Sequence, residues 1–273
     1  DKDRAAESAE KIVRSIDSSP HTLTAVTRIK NRDEYTFQHS VGVATLLAGF
    51  AKDVADFSTD QIQEITVGGI IHDIGKVNTP DNILNKPEKL TDEEFVIMRE
   101  HVNHSRDILR ENGGFTQMQL DISLMHHEKP DGRGYPLGLK ADEISEIGAM
   151  AAIIDVYDAL STKRVYKEAW EPSQALKSMV EWGAGAFNQP LLMQFIRYLG
   201  VYPVGTWVML HSGKLGFVLS LNENKLTPVV QLKLDLKSRR LLNQTLDLSA
   251  KTDDFIEHVA SPSQYGLDDE FEL

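Results

Sequence analysis

The sequence predicts a mainly α-helical protein with a small antiparallel β-rich region near its C-terminus. Residues 37–50 and 147–160 are largely apolar, which is typical of helices that are buried on nearly all sides. Thr91 and Glu94 form a capping box, a common sequence signal of a helix start. After Pro203 the sequence changes to short alternating or β-branched segments, which favour strands. The helices are therefore expected to precede the sheet.

The helices in the first part of the chain are bounded by polar and turn residues. Ser18-Ser19-Pro20 ends the first helix, whose small and apolar residues fall near one face. Ser58 and Gln61 mark another helix start, where a polar N-cap residue precedes an apolar segment. Asn112-Gly113-Gly114 ends the helix that opens at the capping box. The predicted helical segments cover residues 1–18, 21–56, 58–72 and 91–112, with a loop over residues 77–90.

The later elements follow from proline, asparagine and glycine signals. Pro172 opens one helix, and Asn188 with Pro190 opens another. Ser212-Gly213 and Asn222-Glu223-Asn224 separate apolar, strand-like segments. The predicted helices cover residues 118–125, 143–162, 172–182 and 188–199, and the predicted strands cover 206–210, 215–221, 228–234 and 241–246. We expect an N-terminal helical region over residues 1–30, a helical domain over 31–200, a β-rich region over 201–252 and an acidic tail over 253–273.

Composition excludes several kinds of chemistry. The chain has 273 residues, a formal net charge of −12 and no cysteine. Any metal must therefore be held by nitrogen and oxygen atoms, which suits Fe, Mn, Ni, Zn or Mg. The negative charge argues against a DNA or RNA polymer as partner, and no apolar run is long enough to predict a membrane span. The lack of cysteine fits a cytoplasmic protein. Because the sequence begins at Asp1 rather than Met, we allow for an upstream regulatory domain. We allow separately for a homodimer.

Residues 69–76 contain the first candidate site. An apolar run ends in His72 and Asp73, and Lys76 follows three residues later. An adjacent imidazole and carboxylate can bind a divalent metal, and the carboxylate can bridge to a second one. A lysine suits a phosphate oxygen held near the metal. Taken alone, the pair is more typical of a helix end with His72 near the last carbonyl groups, so the metal interpretation depends on the rest of the chain.

Other histidines and acids fall on predicted helices. His39 lies in an apolar helix, where a lone histidine is usually a satisfied core residue. His101 and His104 share a helix face, so one or both could reach a metal or form a solvated polar face. Asp155 lies in the middle of an apolar helix, where a carboxylate needs a metal, a cation or several donors. Asp158 lies near the same face of that helix.

The adjacent histidines His126 and His127 precede a glycine-rich loop. Neighbouring side chains on a helix project about 100° apart, so both can aim inward only at a helix end or a bend. The loop contains Tyr135 and would otherwise be a surface turn. Arg164 and Lys167 lie just past the end of a predicted helix, where they could instead be solvated charges that complement the helix C-terminus.

Together these residues form a nitrogen and oxygen ligand set suited to two divalent metals. Paired metals activate water and neutralise charge that develops on a phosphoryl group. Lys76, Arg164 and Lys167 could hold a phosphodiester, and Tyr135 could pack on a base or a ribose. The candidate ligands are His39, His72, Asp73, His101, His126, His127 and Asp155.

Several specific motifs lie between residues 31 and 200. They are Tyr35-Thr36 before His39-Ser40, His72-Asp73-Ile74-Gly75-Lys76, Lys86-Pro87 before Leu90-Thr91, His126-His127-Glu128, Asp131-Gly132 with Gly134-Tyr135-Pro136, and Asp155 through Asp158-Ala159-Leu160 to Arg164 and Tyr166-Lys167. With these motifs the chain resembles the HD-GYP domains, a branch of the HD phosphohydrolase superfamily. The resemblance implies an HD-type all-helical domain with a metal centre. It also implies hydrolysis of a cyclic dinucleotide, cyclic di-GMP by default or 3′3′-cGAMP, to a linear dinucleotide in bacterial second-messenger signalling.

The resemblance also assigns roles to individual residues. It implies that the candidate ligands above bind the metals and that His72, Asp73 and Lys76 are catalytic. The implied substrate-binding residues are Lys76, Gly134, Tyr135, Pro136, Arg164 and Lys167. Some members bind a third metal through a glutamate four residues before the first histidine, but Tyr35 holds that position here. We therefore expect two metals, with Fe or Mn favoured over Ni, Zn or Mg.

Two other functions stay open at this stage. One is a module that binds the dinucleotide or a protein partner without cleaving it, although such modules usually lose ligands and every ligand position is filled here. The other is a general HD phosphohydrolase that acts on nucleotides, against which the Gly134-Tyr135-Pro136 loop argues. The β-rich region is interpreted as a stabilising appendage that packs on the helices.

Overall fold

The computed structural model describes residues 35–54, 57–162, 169–223, 225–250 and 252–267. The predicted N-terminal helical region over residues 1–30 lies outside these ranges, as do Arg164 and Lys167. Within them, helices fill the first part of the chain and one antiparallel sheet follows. The predicted fold class, mainly α with a β-rich C-terminal region, is confirmed.

The α-helices of the described ranges are α1 (Tyr35–Val54), α2 (Thr59–Ile71), α3 (Asp81–Leu84), α4 (Asp92–Arg99), α5 (His101–Asn112), α6 (Gln117–Met125), α7 (Glu146–Ser161), α8 (Pro172–Glu181) and α9 (Gln189–Leu199). Short 3-10 helices cover Ile74–Asn78 and Pro262–Tyr265. The strands are β1 (Trp207–Leu210), β2 (Lys214–Ser220), β3 (Val229–Asp235), β4 (Arg240–Asp247) and β5 (Ile256–Val259).

The helix starts agree with their sequence signals. The side chains of Ser58 and Thr91 accept hydrogen bonds from the backbone N–H groups of Gln61 and Glu94, and both capping boxes are complete. Each box satisfies two backbone donors that have no partner inside the helix. These caps fix where α2 and α4 begin.

One predicted helix differs in extent from the observed structure. The segment over residues 91–112 divides at Glu100, whose backbone N–H bonds to the carbonyl of Ile97 at 3.2 Å. This bond spans three residues instead of four, so the chain tightens locally and α5 begins afresh at His101. The predicted loop over residues 77–90 also contains the single turn of α3.

Helices α1 and α7 form the centre of the helical domain and are buried along most of their lengths. The rings of Phe50 on α1 and Tyr157 on α7 each lie 5.3 Å from the ring of Phe195 on α9. Gly69 lets α2 approach α1 closely, because a Cβ atom added there would lie 2.6 Å from the Cα of Ala44. This approach brings the C-terminal end of α2 beside the middle of α1.

The sheet has the strand order β4-β3-β2-β1-β5, with antiparallel pairing throughout. Strand β5 lies inside the range predicted as an acidic tail, and Val259 pairs with Val208 of β1. The predicted boundary at residue 252 therefore ends the sheet too early. Strand β5 has only Ile256 and Val259 as apolar residues around Glu257 and His258, which is too short an alternation to indicate a strand from sequence.

The sheet is fastened to the helical domain at the end of α9. The ammonium group of Lys225 donates hydrogen bonds to the carbonyl oxygens of Arg197 and Tyr198, at 3.0 and 2.9 Å. A cation at this position complements the partial negative charge of a helix C-terminus. None of the described helices is long and apolar enough to cross a membrane.

Candidate metal centre

Five helices bring the predicted ligands together. α1 contributes a histidine from its second turn, α2 and α6 contribute residues just past their C-terminal ends, α5 contributes its first residue and α7 contributes a carboxylate from its middle. The position of the two adjacent histidines directly after α6 lets both point inward, as their spacing requires. The residues that converge are His39, His72, Asp73, His101, His126, His127 and Asp155.

Asp73 lies between two groups of imidazole rings. Its Oδ2 atom lies 3.3 Å from Nε2 of His72 and 3.8 Å from Nε2 of His39. Its Oδ1 atom lies 3.3 Å from Nε2 of His101 and 3.8 Å from Nε2 of His126. Each carboxylate oxygen thus faces a different group of nitrogen donors, which is the arrangement of a bridging carboxylate.

Asp155 lies beside one of these groups. Its Oδ1 atom lies 2.9 Å from Nε2 of His39 and 3.6 Å from Nε2 of His72. Its Oδ2 atom lies 3.8 Å from Nδ1 of His127. The carboxylate is buried in the middle of α7. Histidine side chains are the neighbours that a buried carboxylate needs, as the sequence predicted.

Three of the histidines have the hydrogen bonds expected of metal ligands. The Nδ1 atoms of His72, His101 and His126 donate to backbone carbonyl oxygens of the preceding turn, at 2.8, 2.7 and 3.1 Å. A carbonyl can only accept, so each Nδ1 carries the proton and each Nε2 keeps its lone pair. These Nε2 atoms, and Oδ1 of Asp73, are buried and have no hydrogen-bond partner among the described residues. Buried polar atoms of this kind are costly unless a ligand satisfies them.

The donor set fits divalent metal ions. Three groups of residues each offer ligand atoms that lie within 4.8 Å of one another: His101 with His126 and His127, His39 with His72 and Asp155, and His72 with Asp73 and His126. Imidazole and carboxylate donors without thiolate suit Fe, Mn, Ni or Zn. The geometry therefore supports a metal centre, as the sequence predicted.

Burial and neighbouring charges set the protonation of the centre. Burial lowers the pKa of His127 to about 4 and, together with the nearby His127, lowers the pKa of His126 well below its usual value. Burial opposes ionisation of Asp73, but the positive charge of Lys76 holds the pKa of that carboxyl well below its ordinary range. Burial likewise opposes ionisation of Asp155, whose pKa is kept low by a hydrogen bond from His39. Neutral imidazoles and ionised carboxylates are the forms that bind metals.

His39 is oriented by a second carboxylate. Its Nδ1 atom lies 2.7 Å from Oδ2 of Asp158, and both side chains are buried. Gly42, one turn further along α1, leaves the space that the Asp158 carboxylate occupies. The sequence placed Asp158 on the same face as Asp155 and within one of the family motifs, but assigned it no role.

The loop after the adjacent histidines covers one side of the centre. Lys76 contacts Oδ2 of Asp73, and the ring of Tyr135 lies 4.6 Å from the ring of His127 at an angle of 30°. Gly134 packs directly against the backbone of Glu128, where a Cβ atom would not fit. The predicted lysine and the glycine-tyrosine-proline loop are therefore adjacent to the metal ligands.

Glu128 holds this loop in place. The carboxylate is buried, and it accepts hydrogen bonds from the backbone N–H groups of Leu137 and Leu139 at 2.8 and 2.9 Å. The sequence showed Glu128 only as part of a motif, because its partners are backbone groups nine and eleven residues away. A buried acid directly before a glycine-rich loop was the available signal.

Some sequence expectations fall outside this cluster. His104 shares a face with His101 but belongs to none of the ligand groups of the described residues. Arg164 and Lys167 lie outside the described residues, as does the side chain of Tyr35. Their predicted roles stay predictions.

Comparisons with known proteins agree with this geometry. A model of the HD domain family matches residues 16–186. The chain is 38% identical over 246 residues to the cyclic di-GMP phosphodiesterase PA4108 of Pseudomonas aeruginosa, an alignment that covers 89% of this chain and 59% of that protein. It is 41% identical over 127 residues to 3′3′-cGAMP-specific phosphodiesterase 2 of Vibrio cholerae, covering 46% of this chain and 24% of that protein.

A solved structure has the same helical fold. Bd1817, an HDG"Y"P protein from Bdellovibrio bacteriovorus, matches with a TM-score of 0.60 at 23% identity, over 72% of this chain and 62% of that one. The chain spans less than two thirds of the length of the curated relatives described above.

Proposed function

The chain belongs to the HD domain family, and from this premise we propose that it is a metal-dependent phosphodiesterase that opens a cyclic dinucleotide to a linear dinucleotide. The observation that carries the proposal is the position of Asp73, with one carboxylate oxygen facing His72 and His39 and the other facing His101 and His126. A carboxylate shared in this way suits a pair of metal ions.

Two divalent ions, Fe or Mn by preference, are the proposed cofactors. His39, His72 and Asp155 would hold one ion, His101, His126 and His127 would hold the other, and Asp73 would serve both. Bound there, such ions supply Lewis-acid activation of water and neutralise charge that develops on a phosphoryl group. The unpartnered Nε2 atoms of His72, His101 and His126 support these assignments.

The side chains around the ligands are proposed to orient the substrate. Lys76, whose ammonium group lies against Asp73, is placed to bind an oxygen of the phosphate that is cleaved. Burial, and then the carboxylates of Asp155 and Asp73, raise the pKa of Tyr135 above its ordinary value. Its phenol therefore keeps its proton and can donate a hydrogen bond while its ring packs against the substrate.

Hydrolysis adds the oxygen of one water to phosphorus and breaks the bond between phosphorus and a ribose oxygen, which takes up a proton. Opening one of the two phosphodiesters converts the ring into a linear dinucleotide.

Other residues are proposed to shape the site around the substrate. Gly134 and Pro136 would shape the loop that covers the substrate. The phosphate-binding roles proposed for Arg164 and Lys167 rest on the family resemblance alone. His72 and Asp73 would fix the position of the reacting groups through the metals.

The relatives support a cyclic dinucleotide as substrate. Those described above are a cyclic di-GMP phosphodiesterase and a 3′3′-cGAMP-specific phosphodiesterase. We propose cyclic di-GMP as the preferred substrate, because the longer alignment is to the cyclic di-GMP enzyme. A cytoplasmic location fits a chain without cysteine. A regulatory domain and a homodimer stay predictions from the sequence.

The test is turnover by the purified protein. The protein loaded with Mn²⁺ or, anaerobically, with Fe²⁺ is incubated with cyclic di-GMP and with 3′3′-cGAMP, and products are separated by chromatography. The proposal expects a linear dinucleotide from at least one substrate. Binding without any linear product would contradict hydrolysis and would leave a non-catalytic binding module as the function.

A further inference from the structure

A row of stacked side chains leads from the surface of α4 to the metal centre. The guanidinium carbon of Arg99 lies 4.5 Å from the ring centre of Phe95 and 5.0 Å from the ring centre of Tyr135. The ring of Tyr135 in turn lies 4.6 Å from the ring of His127. Arg99 is exposed and Tyr135 is half-buried, so the row begins in solvent and ends at a proposed metal ligand.

Arg99 differs from other basic residues near the site in its partners. Lys76 contacts Asp73, Lys86 lies 2.6 Å from Glu94, and Arg133 lies 3.0 Å from Asp131. Among the described residues, Arg99 makes no ion pair and no hydrogen bond. Its contacts are with two aromatic rings, which position a guanidinium group while leaving its N–H edge open.

A positive group with open donors is unusual at this place in so acidic a chain. The formal net charge is −12. An anionic ligand that approaches is therefore repelled unless a nearby cation offsets this charge. The planar guanidinium group matches two oxygens of a phosphate, which makes arginine the side chain best suited to that task.

We propose that Arg99 is a substrate-positioning residue that binds the phosphodiester that is not being cleaved. This inference rests on the proposed function, since a cyclic dinucleotide carries two phosphodiesters and only one of them can react at the metals at a time. Arg99 contacts Tyr135 and not a proposed metal ligand. Its charge is therefore one side chain away from the position where the metals would hold the reacting phosphate. A second phosphate on the same ring is the part of the substrate that a cation at this position fits.

Binding to a phosphate predicts an effect that does not depend on the bases. An arginine that recognised guanine would contact the O6 and N7 atoms of the base and would discriminate among dinucleotides. An arginine that binds a phosphate strengthens binding of every cyclic dinucleotide and becomes less effective as salt increases. A substrate with a single phosphodiester should gain little from it.

The experiment compares R99Q with R110Q, two substitutions that each remove one exposed positive charge from neighbouring helices. Arg110 is exposed on α5 and has no aromatic contact among the described residues. KM and kcat are measured with cyclic di-GMP, with 3′3′-cGAMP and with bis(p-nitrophenyl) phosphate, which has one phosphodiester. R99Q is expected to raise KM about tenfold for both dinucleotides, and to change turnover of the single-diester probe much less. R110Q should match the unmodified protein, and R99K should fall between.

Each other outcome overturns the proposal. Equal losses on the probe and the dinucleotides would mean that Arg99 acts by supporting Tyr135. A much larger loss with cyclic di-GMP than with 3′3′-cGAMP would assign Arg99 to a guanine base. If the unmodified protein cleaves no cyclic dinucleotide, the proposed function fails, and calorimetric titration with cyclic di-GMP then decides Arg99 separately: equal affinity of R99Q and R110Q would end the case for it.

Discussion

Asp158 accepts a hydrogen bond of 2.7 Å from Nδ1 of His39, while the opposite nitrogen of the same ring faces Asp155 at 2.9 Å. The imidazole is thus held between two carboxylates of α7, three residues apart on one helix face. Although burial opposes it, these carboxylates raise the pKa of His39. A carboxylate behind a metal-binding histidine fixes the orientation of the ring and increases its basicity.

Removing that charge should weaken metal binding while the direct ligands remain. Asp158→Asn keeps the size of the side chain but replaces the carboxylate with a neutral amide. We expect metal affinity to fall about 10- to 100-fold, and activity to return when metal is added in excess. Metal titration followed by calorimetry or by activity measures the change.

A matched control is Asp121→Asn, which alters a buried carboxylate on α6 that pairs with Gln117 at 2.6 Å. This control should leave metal affinity unchanged. Unaltered metal affinity in the Asp158 variant would show that His39 needs no orienting carboxylate.

Asp73 is the residue whose loss should abolish turnover. It lies between both groups of imidazole nitrogens, with two histidines near each of its carboxylate oxygens. Asp73→Ala should therefore remove the metal pair as well as activity, leaving at most one ion per chain. Metal analysis by mass spectrometry and a turnover assay with cyclic di-GMP measure both effects.

Circular dichroism on the same variant establishes that it is folded. Activity close to that of the unmodified protein, in a folded variant, would refute the bridging role of Asp73.

Removing the metals should destabilise the folded chain. Without a bound cation, Nε2 of His72, His101 and His126 are left buried and without partners, and unsatisfied buried polar atoms cost free energy. A metal at about 100 times its dissociation constant adds about 2.7 kcal/mol to the free energy of unfolding. A chelator should therefore lower Tm, and Mn²⁺ should restore it in a concentration-dependent way.

Metal analysis of the same samples gives the number of metal ions per chain. Two ions per chain after anaerobic purification are expected from Tyr35 at the position where a third-metal glutamate would stand. Three ions per chain would contradict this prediction, and a Tm that does not respond to chelator would contradict the structural role of the metals.

The sequence indicated the candidate centre through two pairs of neighbouring ligands, and the family resemblance added the isolated residues His39, His101 and Asp155. His72 and Asp73 are adjacent, and His126 and His127 follow one another at a helix end. Other parts could not be found in this way because they depend on contacts between distant segments. The stacking of Arg99 on Tyr135 joins α4 to a loop far along the chain, and no local pattern indicates it.

The same distinction between local patterns and distant contacts explains which secondary-structure elements could be predicted from the sequence. The long apolar helices α1 and α7 were predictable because each has enough residues to show a buried pattern. Strand β5 could not be predicted, because its four residues show no clear strand pattern and their pairing with β1 stabilises the extended conformation. The break at Glu100 was also missed, because a change from a four-residue to a three-residue hydrogen bond leaves little trace in sequence.

Glu128 offers a way to separate loop position from metal binding. Its buried carboxylate accepts hydrogen bonds from the backbone N–H groups of Leu137 and Leu139, at 2.8 and 2.9 Å, and so fixes the loop that carries Tyr135. Glu128→Ala would remove both of these hydrogen bonds, and a hydrogen bond to a charged group contributes about 1.5–3 kcal/mol. We expect a lower Tm and a fall in kcat/KM for cyclic di-GMP, while the metal content stays at that of the unmodified protein.

Glu128→Gln is the milder companion variant, because its amide oxygen can still accept from one of the two N–H groups while its NH₂ group faces the other. Its Tm and kcat/KM should lie between those of the unmodified protein and the alanine variant. If either variant loses metal in proportion to activity, Glu128 supports His126 and His127 directly and the loop is not the reason for the loss. Metal content is therefore the measurement that decides between a clamp on the loop and a support for the ligands.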